Sequence, residues 1–240
     1  MITENSLQIN EKDNEELVKE SKSVIKKLIV FYAVIAIICL FLFQLKWVAI
    51  IVSFLQVGIA LYYYNKSKGI ITIDYNVKSS EPSLFFPLLI PTIILFATGI
   101  IEITVLDYSS FWIPSILFLS IFMLVIIRFI SKNETKGKIQ PIITSLILCA
   151  AFSFGFTINT NEAFCLKADE QYKTIIIDKW VIENKNTTYH FMLLPWGPMK
   201  DSSSIKVLQY QYNNHQLGDS ITIEYNSGLY NIPFIRLIDK

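Results

Sequence analysis

The sequence predicts an α-helical integral membrane bundle of five transmembrane helices, followed by a small C-terminal antiparallel β domain, a barrel or a sandwich. Three observations predict it. Of the 240 residues, 52% are hydrophobic and 17% charged, with a mean hydropathy of +0.45. The charges are segregated, and stretches such as Leu84–Ile101 carry none, as a bilayer demands and a soluble core does not. Lysine and arginine crowd alternate loops. From Asn161 onward the apolar spacing turns from helical to alternating, punctuated by Gly and Asn.

Residues 1–27 read as a polar, amphipathic cytoplasmic lead-in. Asp13 and Glu16 have capping-box spacing, Glu15 precedes Lys19 by one turn, and Leu17, Ser21, Val24 and Ile25 share a face. A cleaved signal peptide is not expected, because the lead is long and acidic and no small-x-small site follows the apolar run. The transmembrane domain then occupies 28–160. Leu28–Tyr64 is 37 residues, interrupted near its middle by Gln44 and Lys46. As one helix it would reach about 55 Å against a hydrocarbon core of about 30 Å, so it divides into helices at 28–44 and 47–64 with a turn at Gln44–Lys46. Trp47 and Tyr62–Tyr64 anchor the second at the interfaces.

The following loop contains Ile71, Ile73, Tyr75 and Val77 in strand alternation. Helices at 84–106 and 111–130 form a tight hairpin across Asp107–Ser110. A fifth, at 140–160, carries Pro141 in its first turn, where the missing N–H does least harm. Twelve Lys and Arg flank one set of loops and three the other. The expected location is therefore the cell membrane, multi-pass, with a cytoplasmic N-terminus and an extracytoplasmic tail.

The tail, 161–240, carries 8 basic and 9 acidic residues. Strands are expected at 172–183, 187–194, 205–212, 220–225 and 234–238. Asn184–Asn186, Leu217–Asp219 and Asn226–Gly228 supply the turns, and Pro233 places the last strand at an edge or a strand start. The segment Gly218-Asp219-Ser220-Ile221-Thr222-Ile223, with Gly228, Ile232 and Pro233, resembles the ending of uncharacterised bacterial polytopic membrane proteins with a small C-terminal β module. The resemblance implies a bacterial cytoplasmic membrane and lends no activity.

Polar residues inside the spans are the candidate site. Gln56 lies mid-helix with Ser53 one turn before it. Glu102, the one acidic residue inside an expected span, follows eighteen uncharged residues and lies near Thr98 and Asp107. A conducting or ligand-binding group would face a cavity. The plainer reading gives Gln56 an interhelical hydrogen bond, worth about 0.6–2 kcal/mol, and sends Glu102 to the headgroups. Pro87 and Pro91, four apart, suggest a kink in the third helix. Ser145, Cys149, Ser153 and Thr157 recur every four residues, beside Ala151 and Gly155, as a helix-packing ridge.

No catalytic, cofactor-binding or metal-ligating pattern is found. His190, His215, Cys165 and Asp219 lack the short spacings of metal sites. Cys39 and Cys149 sit in apolar runs, and Cys165 has no second cysteine in the tail, which excludes a disulfide within it. Asn186-Thr187-Thr188 matches a glycosylation acceptor, relevant only in a eukaryotic secretory setting. A net charge of +1 gives no reason to expect nucleic acid. The expected partners are the lipid bilayer and a protein, whether another chain or a second copy. The preferred expectation is a non-enzymatic binding or envelope-sensing protein acting through its β module. The alternative is a small transporter or channel subunit using Gln56, Glu102, Ser53 and Thr98.

Overall fold

Long apolar runs free of turn residues become long helices, and the computed structural model of the chain has five among its described residues. They are α1 (Ile2–Phe41), α2 (Lys46–Lys66), α3 (Phe85–Ile100), α4 (Trp112–Asn133) and α5 (Ile139–Ala163). The structure describes residues 2–42, 45–67, 69–74, 81–100, 104–133, 139–165, 170–183 and 187–238, with side chains from Glu15 onward except that of Asn133. The chain divides into two units. The first comprises Met1–Gly99 and Pro114–Asn159, the second Ile100–Ile113 and Thr160–Lys240.

Among the described residues four helices are long and apolar enough to cross a membrane: α1 over Glu15–Phe41, α2, α4 over Trp112–Lys132, and α5. α3 is apolar throughout but has 16 residues, a length of about 24 Å. α1 starts well before the expected cap at Asp13, and one helix joins the lead-in to the span. Its buried residues Ile25, Leu28, Tyr32 and Cys39 form one stripe, while Val30, Phe31, Val34, Ile37, Ile38 and Phe41 are exposed. Water would penalise that exposure and hydrocarbon would not. Helix α1 ends at Phe41 and α2 starts at Lys46, where the sequence asks for a turn; Gln44 itself lies outside the described residues. Leu45 N–H closes the break on Leu42 O at 2.8 Å.

Ile71 and Ile73 are buried in the core of this unit beside Leu84 and Leu88. Thr72 between them bridges Ser83, with Leu84 N–H donating to Thr72 O at 2.8 Å. That one bridge replaces the expected strand, whose Tyr75 and Val77 lie outside the described residues. Pro87 falls in the first turn of α3, where no intrahelical N–H is lost. Pro91 alone sits inside the helix.

The second unit is built on a six-stranded antiparallel sheet that almost closes into a barrel. Its strands are β1 (Thr104–Val105), β2 (Glu170–Ile182), β3 (Thr188–Leu193), β4 (Ser203–Val207), β5 (Ser220–Asn226) and β6 (Phe234–Ile238), in the order β1-β6-β5-β2-β3-β4. β2 has 13 residues. Its first half pairs with β5, from Glu170↔Tyr225 to Ile175↔Ser220, and its second half with β3, from Ile176↔Leu193 to Ile182↔Thr188. A register shift between Ile176 and Asp178 marks the changeover, as bulges do where a sheet bends. Ile176, Phe191, Leu193, Ile205, Ile223 and Ile235 fill the interior.

Three expectations are corrected here. The third helix does not reach residue 106, because the β-branched pair Thr104–Val105 is taken into the sheet against Ile235 and Phe234. The strand expected at 205–212 stops at Val207, and Gln209–Asn214 is a short helix, α6. Gln211 Oε1 accepts from Leu208 N–H at 3.0 Å at its start, supplying an acceptor that a strand would not need. The boundary expected at 160/161 shifts as well. The sheet unit takes in the α3–α4 connection and the last turn of α5.

Candidate functional site

The intramembrane polar residues do not form one site. Ser53, fully buried, donates to Pro91 O at 3.3 Å, which ties α2 to α3. Gln56 is 2% exposed, and its side-chain amide has no hydrogen-bond partner among the described residues. Its backbone carbonyl accepts from the Tyr32 hydroxyl at 2.6 Å, which ties α1 to α2. An unsatisfied buried amide is costly, about 1–3 kcal/mol.

Thr98 belongs to a different cluster. Its hydroxyl donates to Ile94 O at 2.7 Å and lies 3.1 Å from Asn159 Oδ1. Asn159 Nδ2 in turn donates to both Leu95 O and Gly155 O at 2.7 Å. Lys46, 4% exposed, donates from Nζ to Thr98 O, a carbonyl in the last turn of α3 that its own helix cannot satisfy. Asn159 and Lys46 are thus the polar residues that sequence reasoning missed. The available signal was the spacing of Gly155 and Asn159, one turn apart on α5. Glu102 lies outside the described residues. Asp107 spends its carboxylate on Ser109, accepting from the backbone N–H at 2.8 Å and from the hydroxyl at 2.5 Å. Those bonds hold its pKa below the ordinary carboxylate value.

The four residues expected as a packing ridge are all buried but differ in setting. Ser153 donates to Ser115 O on α4, and Thr157 bonds back to Ser153 O at 2.8 Å. Closest approach falls between those two, at Gly155. A Cβ on Gly155 would lie 2.6 Å from Leu95 C and Phe96 N, so glycine is required where α5 meets α3. Ser145 and Cys149 instead line a cavity of about 330 Å³, together with Phe54, Gly58, Leu88, Thr92 and Phe122. The Ser145 hydroxyl has no partner among the described residues.

In the second unit the β2–β3–β4 ribbon presents two faces. Phe191, Leu193, Ile205 and Val207 point inward and are buried. Lys179, also on the inner side, donates from Nζ to Tyr212 O at 2.6 Å and to His215 O, and stands 4.2 Å from the Tyr212 ring centroid. It thereby caps the C-terminal carbonyls of α6. On the outer face Trp180 pairs with His190, and His190 with Lys206. The Trp180 and His190 rings stack at 5.3 Å with an 8° interplanar angle. Partial burial, then the Lys206 charge, lower the His190 pKa from its ordinary value. Ile182, 40% exposed, follows Trp180 on this face, and half-buried Met192 stands opposite Asp178.

The last turn of α5 is bound into the same unit through Asn161. Its Nδ2 donates to Ile232 O at 2.9 Å, its Oδ1 accepts from Tyr230 N–H at 2.9 Å, and its backbone carbonyl accepts from Leu229 N–H at 3.0 Å. Gly228, with φ of +67°, packs so closely that a Cβ would lie 2.2 Å from the Asn161 side chain. Beside it Cys165 Sγ donates to Asn226 Oδ1 at 2.8 Å, and Arg236 pairs with Glu162. Both histidines are engaged within the unit, His190 Nε2 with Thr188 Oγ1 and His215 Nδ1 with Gln211 O. Among the described residues no three His, Cys, Asp or Glu side chains converge.

Fold and geometry together define a chain with several membrane-length helices and a nearly closed antiparallel β module. It matches no protein-family model, no curated protein and no solved structure.

Proposed function

We infer that this is a non-enzymatic integral membrane protein whose β module binds a protein partner and through it senses the cell envelope. In this reading α3 is the fifth span, the N-terminus is cytoplasmic and the module lies on the outer side. The observation that carries the reading is the outer row Trp180–His190–Lys206, with Ile182 and Met192 beside it. Half-buried aromatic and thioether side chains beside an exposed isoleucine are what protein interfaces use as anchors. The membrane unit supports it by contrast, since Ser53, Thr98, Ser153 and Asn159 spend their polar groups on neighbouring carbonyls.

The test is a photocrosslinking residue placed at His190 in the full chain, with the exposed Tyr210 of α6 as control. A discrete adduct at position 190 that Trp180→Ala abolishes is expected. Equal adducts at both positions, or none at 190, refute the reading. A second reading, transport, rests on the unpartnered Gln56 amide. Flux through vesicles that Gln56→Leu abolishes would favour it.

A further inference from the structure

We propose that the cavity between α2, α3, α4 and α5 is a binding site for one acyl chain of a membrane lipid, entered sideways past Gly58. The cavity has a volume of about 330 Å³, and among the described residues no charged one lines it. Its walls are aromatic and aliphatic, with Thr92, Ser145 and Cys149 as the polar exceptions, and Thr92 already donates to Leu88 O at 2.8 Å. Enclosed apolar space of about 150 Å³ stays dry and takes up apolar molecules. This one is larger and lies within the usual size range of ligand pockets, roughly 300–1,000 Å³.

The entrance identifies the occupant. Phe54 and Gly58 line both this cavity and a groove on the outer side of α2, with Ile51, Leu55 and Ile59, three side chains that are exposed. At Gly58 an added Cβ would meet no atom within 4 Å, so the passage is open where the two spaces join. Gly58 lies twelve residues after Lys46 and eight before Lys66, which is about 18 Å and about 12 Å along the helix. The opening is therefore at hydrocarbon depth, where lipid chains rather than headgroups or aqueous solutes are found. Aromatic rings Phe54, Phe122 and Phe152 meet edge to face within 6 Å of one another at the wall and give it a fixed shape for a flexible chain.

The experiment places the full chain in phosphatidylcholine vesicles in which one acyl chain carries a diazirine near its middle. After irradiation, labelled residues are located by mass spectrometry. Label is expected on the cavity wall at Phe122, Leu148 and Phe152, as well as on the outward Leu124 and Ile147. Gly58→Leu closes the passage and should lower wall labelling roughly tenfold, a shift of about 1.4 kcal/mol in occupancy, leaving Leu124 and Ile147 unchanged. Ser145→Leu fills the space from the opposite wall and should act alike if Gly58→Leu fails to fold. Wall labelling that is absent in the natural sequence, or persists in both variants, overturns the proposal. So does labelling by a free diazirine fatty acid alone. The β-module reading above is untouched by either result.

Discussion

Replacing Gly155 with alanine adds one carbon at the closest approach of α5 and α3. That Cβ would lie 2.6 Å from Leu95 C and Phe96 N and 2.8 Å from Leu95 O, against an optimal separation of about 3.5–4.0 Å. The obstructing atoms are backbone, so no rotamer relieves the clash and the helices must part by about 1 Å. Parting lengthens the Asn159 Nδ2 to Leu95 O bond, 2.7 Å now, beyond hydrogen-bonding range. Overpacking costs about 1–3 kcal/mol and the lost interhelical bond about 0.6–1.7 kcal/mol. Against these stands the helix preference for alanine over glycine, about 1 kcal/mol. The net expectation is a loss of about 1–4 kcal/mol. Gly58→Ala is the internal control, because its Cβ meets nothing within 4 Å and only the propensity gain remains. The assay is equilibrium unfolding of the full chain in mixed micelles, followed by circular dichroism. Equal stability of the two variants would refute the packing argument at Gly155.

Ser153→Leu should destabilise the same bundle by about 1–3 kcal/mol while Ile147→Leu, at a residue 65% exposed, does little; equal effects would show that the ridge does not face protein. Lys179→Met keeps the stem but removes the charge that caps α6, and should cost about 1–3 kcal/mol in melting of the full chain, measured by tryptophan fluorescence. The lowered pKa of His190 sets a pH dependence. The unfolded chain takes up the proton first, so stability is complete above the ordinary value of about 6.5 and declines as the pH falls from there through the folded pKa. His190→Gln should flatten that decline, and an unchanged profile would remove His190 as its source. For orientation, a reporter active only outside the cytoplasm should work when fused after Lys240 and be silent after Lys68 or Lys136; a silent Lys240 fusion would mean an odd number of spans has been miscounted.

The helices were legible because hydropathy is a local property. A run of twenty apolar residues declares itself, and so does the break between Phe41 and Lys46, since a single helix would outrun the bilayer. Strand alternation in the tail was equally local, and the turn glycines Gly218 and Gly228 adopt the positive φ that their positions imply. Gln209–Asn214 deceived because Tyr210 and Tyr212 alternate as strand residues do. In the fold Tyr212 reaches the core from a helix, packing on Phe191 and Tyr189. The polar clusters were legible only in composition. Gln56 and Thr98 were visible as polar residues in apolar runs, yet that the Gln56 amide is buried without a partner among the described residues and that Thr98 stands against Asn159 depends on helix pairing, which no local pattern encodes. Lys46 read as a loop cation, because nothing nearby in sequence announces the carbonyl at Thr98.

The boundary of the β module shows the same limit and has a physical consequence. Thr104 and Val105 are β-branched and favour a strand, but two residues between long apolar runs are too few to announce one. What decides is β6, whose edge would otherwise stand unpaired, and an open edge carries unsatisfied N–H and C=O groups. Pairing Thr104 with Ile235 and Val105 with Phe234 covers it, while Leu106 N–H donates to Pro233 O at 2.9 Å. At its other end the unit holds the last turn of α5 through three backbone-directed bonds of Asn161. The module is therefore assembled from two separate stretches of chain, not from the tail alone. A fragment beginning at Asn161 lacks the strand that protects β6 and the Leu106 side chain that packs on its core. A displacement of β6, or of the 229–232 turn that Asn161 holds, must therefore be met by the α3–α4 connection and by the end of α5.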